Sequence, residues 1–505
     1  MVEQVDVLVV GGGVNGVGIA RDAVGRGLSV WLCERDDLAS HTSSAATKLI
    51  HGGLRYLEQF EFALVGKALA EREVLLRAAP HIIWPLRFVL PHQPHLRPAW
   101  MIRIGLFLYD HLGRGRRTLP GSRRVRFAKH VTGEPMRAEF TQGFVYSDAW
   151  VQDARLVVLN AMDAVHRGAK IETHTRCVSA RRDGDAWIAE LEARDGTRHF
   201  VRARSLVNAA GPWAASFLDD VAHVKHTHSL RLIKGSHIVV PKIFDHRYAY
   251  IFQQPDRRIV FAIPYERDFT LIGTTDIEYK ADPSHPTIDA EETQYLCEAV
   301  NRYFKKQLTP KDVVWSYSGV RPLLQDEAGS ASEVTRDYLL DIDQTGGAPL
   351  LNVFGGKLTT FRKLSEEAVD KLAPLLGNDK PAWTADARPL PGGGERDIDA
   401  LTDDIRASRP WLPEAFAWRL THMYGTRARD LLGEANGLDA LGKHFGSDLY
   451  QAEVDYLVRH EWATEAEDIL WRRSKIGLRV GPDDVRRLTE YLDQRVPKAP
   501  TTPTP

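Results

Sequence analysis

The chain has 505 residues, 43% of them hydrophobic, enough for two or three domains with cores of their own and too much for a disordered chain. Its 66 Lys and Arg against 67 Asp and Glu leave a net charge of −1, so no global field points to nucleic acid and any electrostatic recognition has to come from local patches. Three scattered cysteines, Cys33, Cys177 and Cys297, offer neither a zinc pattern nor a disulfide framework, which points to a reducing compartment and no metal.

Met1 runs through Val2, Glu3 and Gln4 straight into an apolar stretch, without the basic region and cleavage site of a secretory signal, so a cytoplasmic location is expected. Residues 5–10 (VDVLVV) read as a strand buried on both faces of a parallel sheet. A glycine turn over residues 11–18 follows, then a helix over residues 19–27 with small residues at Gly16, Ala20 and Ala23, then a second strand over residues 28–33 that ends at Glu34. This is one βαβ unit. Gly11, Gly13 and Gly16 have the G-x-G-x-x-G spacing, in which the glycines allow a tight turn, close approach to a pyrophosphate and close contact between helix and strand. The helix N-terminus at Val14 to Gly16 adds free N–H groups and a positive dipole end. Glu34 stands where its carboxylate accepts ribose hydroxyls, which disfavours a 2′-phosphate and leaves NAD and FAD as the two readings.

Between Arg77 and Lys129 the sole acidic residue is Asp110. Arg87, Arg97, Arg103, Arg114, Arg116, Arg117, Arg123, Arg124 and Arg126 gather there beside Trp84, Trp100, Ile102, Phe107 and Tyr109, a mixture that suits an anionic lipid surface, so residues 84–126 are expected to dock on a membrane. Contact of that kind would be peripheral, because no stretch reaches the roughly 20 apolar residues of a spanning helix. Strands are predicted over residues 186–191, 200–207, 237–241, 259–264 and 269–273. A further strand over residues 350–354 enters a glycine turn and a helix over residues 358–376. The breaker cluster PLPGGG (residues 389–394) separates a strand-free, helical C-terminal region, and the final PKAPTTPTP is read as an extended tail.

Residues 42–58, TSSAATKLIHGGLRYLE, carry Ser, Thr, Lys and His side chains that suit a flavin or a substrate better than a nicotinamide. Taken with GGGVNGVGIARDAVGRG, LVNAAGPWA, RLIKGSHIVVP, GTTDIEY, YSGVRPL and VFGGKLTTFRKL, the chain closely resembles, over nearly its whole length, the aerobic FAD-dependent glycerol-3-phosphate dehydrogenases of bacterial type. The resemblance implies FAD as cofactor, oxidation of sn-glycerol 3-phosphate to dihydroxyacetone phosphate, a membrane quinone as electron acceptor, and peripheral attachment to the inner face of the cytoplasmic membrane. It admits a homodimer.

The fold class it implies is α/β plus α, a Rossmann-like FAD-binding domain with an interleaved β-rich cap domain and a C-terminal all-helical domain. Residues 1–80, 146–225 and 336–388 would form the FAD-binding domain, 81–145 a basic membrane-facing segment, 226–335 the substrate-binding cap, 389–496 the helical domain and 497–505 the tail. Hydride removal from a phosphorylated alcohol needs a clamp for the phosphate, an acceptor for the hydroxyl proton and positive charge near the flavin. The motifs supply Arg55, Arg321, Arg336 and Lys357, with Tyr56, for the substrate, since arginine binds phosphate bidentately and lysine acts as a point charge. Arg321 is expected in a short loop, where an unpaired buried guanidinium would be costly and a bound anion or carboxylate would resolve the cost. His51 is the expected proton acceptor and His237, inside a strand, its competitor.

Cofactor contacts are expected from Gly11, Gly13, Gly16, Glu34, Arg35, Thr42, Ser43, Ser44, Lys48, Leu49, His51, Ala209 and Gly211. Gly355, Gly356, Lys357, Leu358 and Thr359 are expected at the flavin ring, their N–H groups facing the N1 and C2 carbonyl edge. Two alternatives keep the flavin: a glycerol-3-phosphate oxidase that uses oxygen, or an amino-acid oxidase of the same superfamily. A third is a flavin-containing scaffold without turnover.

Overall fold

The apolar run at the N-terminus forms the first strand, β1 (Glu3–Val10), followed by the helix α1 (Val14–Gly25) and the strand β2 (Val30–Cys33). The computed structural model describes residues 2–93, 97–113, 118–256, 258–324 and 338–495. β1 pairs in parallel with β2 on one side and with Arg198–Asn208 on the other, which is why Val7, Leu8 and Val9 are fully buried on alternating faces. α1 starts at Val14 rather than Ile19, so that Gly13 is its N-cap and Gly16 lies inside its first turn.

These strands belong to an eight-stranded sheet that continues through Leu350–Phe354 to Leu339–Asp343 at one edge and through β2 to Lys170–Glu172 at the other. Thr175–Asp183 and Ala186–Ala193 extend it as an antiparallel flap. α1 packs against the helices Asp153–His166 and Phe361–Leu372, and their apolar faces close one core. The helix expected over residues 358–376 is α-helical from Phe361 to Leu372, with single 3-10 turns before and after it.

A second, ten-stranded sheet runs from Ile277–Glu278 through Leu230–Pro241, Phe269–Gly273, Ile259–Tyr265, Tyr248–Gln253, Ile83–Pro91 and Gln142–Val151 to Leu49–Ile50. Trp315–Leu324 pairs antiparallel with Leu230–Pro241 from Leu324 opposite Leu230 to Trp315 opposite Val239. The segment expected to be a separate basic piece, residues 81–145, therefore supplies an interior strand of this sheet, Ile83–Pro91. Its arginine there is satisfied locally, Arg87 donating to the Pro120 carbonyl and the Ser147 hydroxyl at 2.9 Å each. The helix Ala99–His111 is what stands off the sheet.

Beyond Pro389 the described residues form helices and turns around a core of their own, centred on Leu420, Leu457 and Ile469. Among the described residues no helix is long and apolar enough to cross a membrane.

Candidate active site

Gly11 has φ +115° and a Cβ there would stand 2.4 Å from the Ala209 carbonyl oxygen, while a Cβ on Gly16 would stand 1.9 Å from the Gly11 carbonyl oxygen. The backbone of the turn therefore lies flat against its neighbours and leaves a cleft above the N-terminus of α1, where first-turn N–H groups lack helical acceptors. Gly11, Gly13, Glu34, Arg35, Thr42, Ser43, Ala209, Gly211 and Trp213 all line that cleft. Glu34 accepts from the Gly12 N–H at 2.6 Å and the Asp36 N–H at 2.9 Å; burial holds its carboxyl above its ordinary value against those two bonds. Arg35 lies over the Trp213 ring at 3.9 Å and closes the mouth. Glu34, Asp36 and His41 lie within metal-ligand reach of one another, but His41 Nε2 and Asp36 are directly hydrogen-bonded at 2.8 Å, so their proximity has an ordinary cause.

The segment after β2 folds back over this cleft. Ser43 accepts the Val14 N–H at 3.0 Å, and the Thr42 hydroxyl donates to the Val320 carbonyl at 2.6 Å. The Ser44 hydroxyl donates to the His41 carbonyl at 3.3 Å, and Leu49 is buried in a two-residue strand paired with Trp150. Lys48 is fully buried, its ammonium donating to both Asp153 oxygens at 2.8 Å and to the Ser44 carbonyl at 3.0 Å, so its charge holds the segment in place from beneath. Across the cleft the Asn15 amide donates to the Gly355 carbonyl at 3.2 Å, and a Cβ on Gly356 (φ +104°) would strike that amide at 2.9 Å. The Asn15 Oδ1 is buried without a hydrogen-bond partner among the described residues, an acceptor the protein itself leaves open. The His51 N–H reaches the Thr359 hydroxyl at 3.4 Å. Hydrogen bonds thus tie the glycine loop, the 42–51 segment and the 355–359 turn together beside the cleft, a groove whose glycine-rich backbone and buried carboxylate suit the ADP half of an FAD.

A second cavity is lined by His51, Gly53, Arg55, Tyr56, Phe261, Thr274, Asp276 and Arg321. Arg321 sits within the strand Trp315–Leu324, opposite Ile233, and not in a loop. The strand was missed because SGVRPL joins a glycine to a proline; its pairing with Leu230–Pro241 overrides both. Arg321 donates to Asp276 at 2.9 Å and to the Thr275 carbonyl at 3.1 Å, and a Cβ on Gly235 would lie 2.8 Å from its guanidinium. The carboxylate that steadies it comes from the GTTDIEY motif. Arg55 has no ion-pair or hydrogen-bond partner among the described residues, and Lys357 stands 4.1 Å above the Tyr56 ring. Arg336 lies outside the described residues. Thr274, Asp276 and Phe261 were not singled out from the sequence, although two of them belong to that motif.

His237 is not in this cavity. It is 2% exposed, stacked on Tyr317 at 4.8 Å, with Nε2 within 3.0 Å of the Thr47 hydroxyl. Burial, then the charges of Lys48 and Arg321, hold its ring well below the usual histidine range, so it stays neutral and is a poor proton acceptor. The unfolded chain protonates its histidines near 6.5, hence this group contributes fully above that pH and its contribution is lost as the pH falls below it. His237→Gln is expected to remove about 2 kcal/mol of the difference in unfolding free energy between roughly pH 7 and pH 5. Chemical denaturation of both proteins at the two pH values checks this, and parallel pH dependences would contradict it.

The helix Ala99–His111 exposes Trp100 (63%), Ile104 (52%) and Phe107 (53%) along one stripe, and Phe60 (78%) stands on the neighbouring turn. Arg123, Arg124 and Arg126 are exposed on an adjoining strand. Tyr109 and Trp84, grouped with this face from the sequence, point inward, Tyr109 donating to Asp148 at 2.8 Å and Trp84 meeting the His422 ring at 5.4 Å. Arg114, Arg116 and Arg117 lie outside the described residues.

Two family patterns match this chain, FAD dependent oxidoreductase over residues 6–362 and the C-terminal domain of alpha-glycerophosphate oxidase over residues 383–493. The chain is 58% identical to a glycerol-3-phosphate dehydrogenase of Pseudomonas aeruginosa over 99% of its own length and 97% of the relative's. It is 52% identical to the D-erythritol 1-phosphate dehydrogenase of Brucella abortus, over 97% and 98% of the two chains. The crystal structure of the glycerol-3-phosphate dehydrogenase from Bacillus halodurans complexed with FAD superposes with a TM-score of 0.77 at 28% identity, covering 97% of this chain and 94% of that one.

Proposed function

The chain belongs to the FAD-dependent oxidoreductases, and within them to the glycerol-3-phosphate dehydrogenases, and from that premise we propose that it oxidises sn-glycerol 3-phosphate at C2 to dihydroxyacetone phosphate. The observation that carries the proposal is the convergence of His51, Arg55 and Arg321 on one cavity. FAD, when bound along the groove, supplies the acceptor for the C2 hydride. Arg55 and Arg321 offer two forks for the phosphate dianion. Asp276 keeps the Arg321 fork in one orientation, and the charge of Lys357 adds to the field at the cavity wall. His51 takes the hydroxyl proton, and Phe261, edge-on to its ring at 6.5 Å, limits water on that side.

Anaerobic mixing of the flavoprotein with glycerol 3-phosphate is expected to bleach the flavin. Bleaching by D-erythritol 1-phosphate at a higher kcat/KM would move the substrate to a longer polyol phosphate, and bleaching by an amino acid alone would overturn the reading.

The electron acceptor proposed is a membrane quinone, reached from an enzyme seated on the cytoplasmic face of the lipid surface through the stripe of Trp100, Ile104 and Phe107 with its basic border. Exposed aromatic side chains of this kind gain about 1.5–3 kcal/mol each on burial. The double variant Trp100→Ser, Phe107→Ser is therefore expected to weaken co-sedimentation with anionic vesicles by roughly 100-fold or more, while dye-linked turnover in solution is kept. Undiminished vesicle binding would remove this face from the proposal. Peroxide formed in stoichiometric yield without quinone would favour oxygen as the acceptor.

A further inference from the structure

Among the described residues none of the C-terminal helical domain lines either cavity, yet one of its turns reaches the segment that borders the glycine-loop cleft. Asp37, three residues beyond Glu34, is 2% exposed and turns away from the groove. Its carboxylate accepts from Arg472 Nε at 2.7 Å and from Arg473 Nη1 and Nη2 at 2.7 Å each, so two guanidinium groups of the helical domain hold one carboxylate of the flavin domain. Arg473 is itself fully buried and donates to the Glu461 carbonyl at 2.6 Å.

On the other side of Asp37 the chain meets the glycine loop directly. The Ala39 N–H donates to the Gly12 carbonyl at 3.3 Å, and Leu38 packs so closely that a Cβ on Gly12 would lie 2.9 Å from it. The Ser40 hydroxyl returns to the Asp37 carbonyl at 2.6 Å, and three residues later Ser43 accepts the first N–H of α1. Any displacement of Asp37 is thus passed within two residues to the turn on which a pyrophosphate would rest. A buried carboxylate held by one buried and one half-buried guanidinium group has few alternative positions, because moving it strands charges of both signs.

We infer that the C-terminal helical domain is a cofactor-retention clamp, with Asp37 as the positioning residue through which Arg472 and Arg473 hold the 37–43 segment closed over the FAD. This rests on the groove being the FAD site, and wild-type protein purified without flavin would be a failure of that reading and not of this one.

The alternative is that the Asp37 cluster merely joins two domains. A second ion pair, Arg479 with Asp268 at 2.8 Å, joins the helical domain to the second sheet without touching the segment, Arg472 or Arg473, and serves as the control. Holoenzyme of Asp37→Asn and of Arg479→Gln is diluted below its melting temperature and the release of FAD is followed by the rise of free-flavin fluorescence. Asp37→Asn is expected to release FAD at least tenfold faster than wild type, with Arg479→Gln within twofold of wild type even where its melting temperature falls as far. Release from Asp37→Asn no faster than from Arg479→Gln overturns the clamp. Should Asp37→Asn fail to fold, Arg472→Gln decides the matter, because Arg473 still holds Asp37 there: several-fold faster release supports the clamp and wild-type release overturns it.

Discussion

Arg321→Ala is expected to lower kcat/KM for glycerol 3-phosphate by about 100- to 10,000-fold, because charged hydrogen bonds contribute about 1.5–3 kcal/mol each and a guanidinium fork makes two. The structure adds a second term of the same sign. Asp276 is paired with Arg321 at 2.9 Å, and once the guanidinium is gone its carboxylate faces the incoming phosphate dianion uncompensated. Arg321→Lys restores the charge without the fork and should recover only part of the loss. Stopped-flow bleaching of the flavin by substrate measures the effect, and reduction by dithionite shows that the cofactor is still in place. Bleaching at a near wild-type rate in Arg321→Ala would take this residue out of the site, and with it the phosphate clamp as described.

The second large effect lies in the glycine loop, whose three G-x-G-x-x-G positions are not equivalent in the structure. At Gly16 a methyl group would stand 1.9 Å from the Gly11 carbonyl oxygen, and at Gly11 it would both meet the Ala209 carbonyl at 2.4 Å and occupy φ +115°. Backbone atoms cannot swing aside as a side-chain tip can, so either substitution has to push β1 and α1 apart. Gly16→Ala is expected to yield protein without flavin, destabilised by about 1–3 kcal/mol, the cost of overpacking a tight contact. Gly13 differs: its φ is −77°, open to any residue, and its nearest neighbour would be the Ser43 hydroxyl at 3.1 Å. Gly13→Ala should therefore fold with near wild-type stability and lose affinity for FAD alone, since only the ligand needs that space. The flavin-to-protein absorbance ratio and thermal melting of the apoproteins separate the cases. A Gly16→Ala protein that retains a full complement of flavin would contradict the packing argument.

These glycines show what the local pattern carries. A strand, a glycine turn, a helix and a second strand ending in Glu34 lie within a few tens of consecutive residues, and each requirement is met by a neighbour in the chain. The later strand over residues 350–354 was legible for the same reason, an apolar run bounded by turn residues, and its observed limits are the expected ones. The strand Ile83–Pro91 was not, because arginine and proline in it resemble a surface segment until Gln142–Val151 and Tyr248–Gln253 pair on either side.

The nature of the chemistry was in the sequence by itself: the βαβ unit, the candidate acid–base histidine at His51 and the arginines Arg55 and Arg321 are all residue types at readable spacings. Which of them lie together was decided by tertiary structure alone. Arg321 finds Asp276 across 45 residues, Lys48 finds Asp153 across 105, and Arg473 finds Asp37 across 436. Periodicity reports that a position is buried, but a buried charge is defined by the partner that neutralises it, and strand pairing and domain packing bring that partner from elsewhere in the chain. For the same reason His237, a plausible base by residue type, became a neutral core histidine, and Lys48, a plausible cofactor ligand, became a strut beneath the groove.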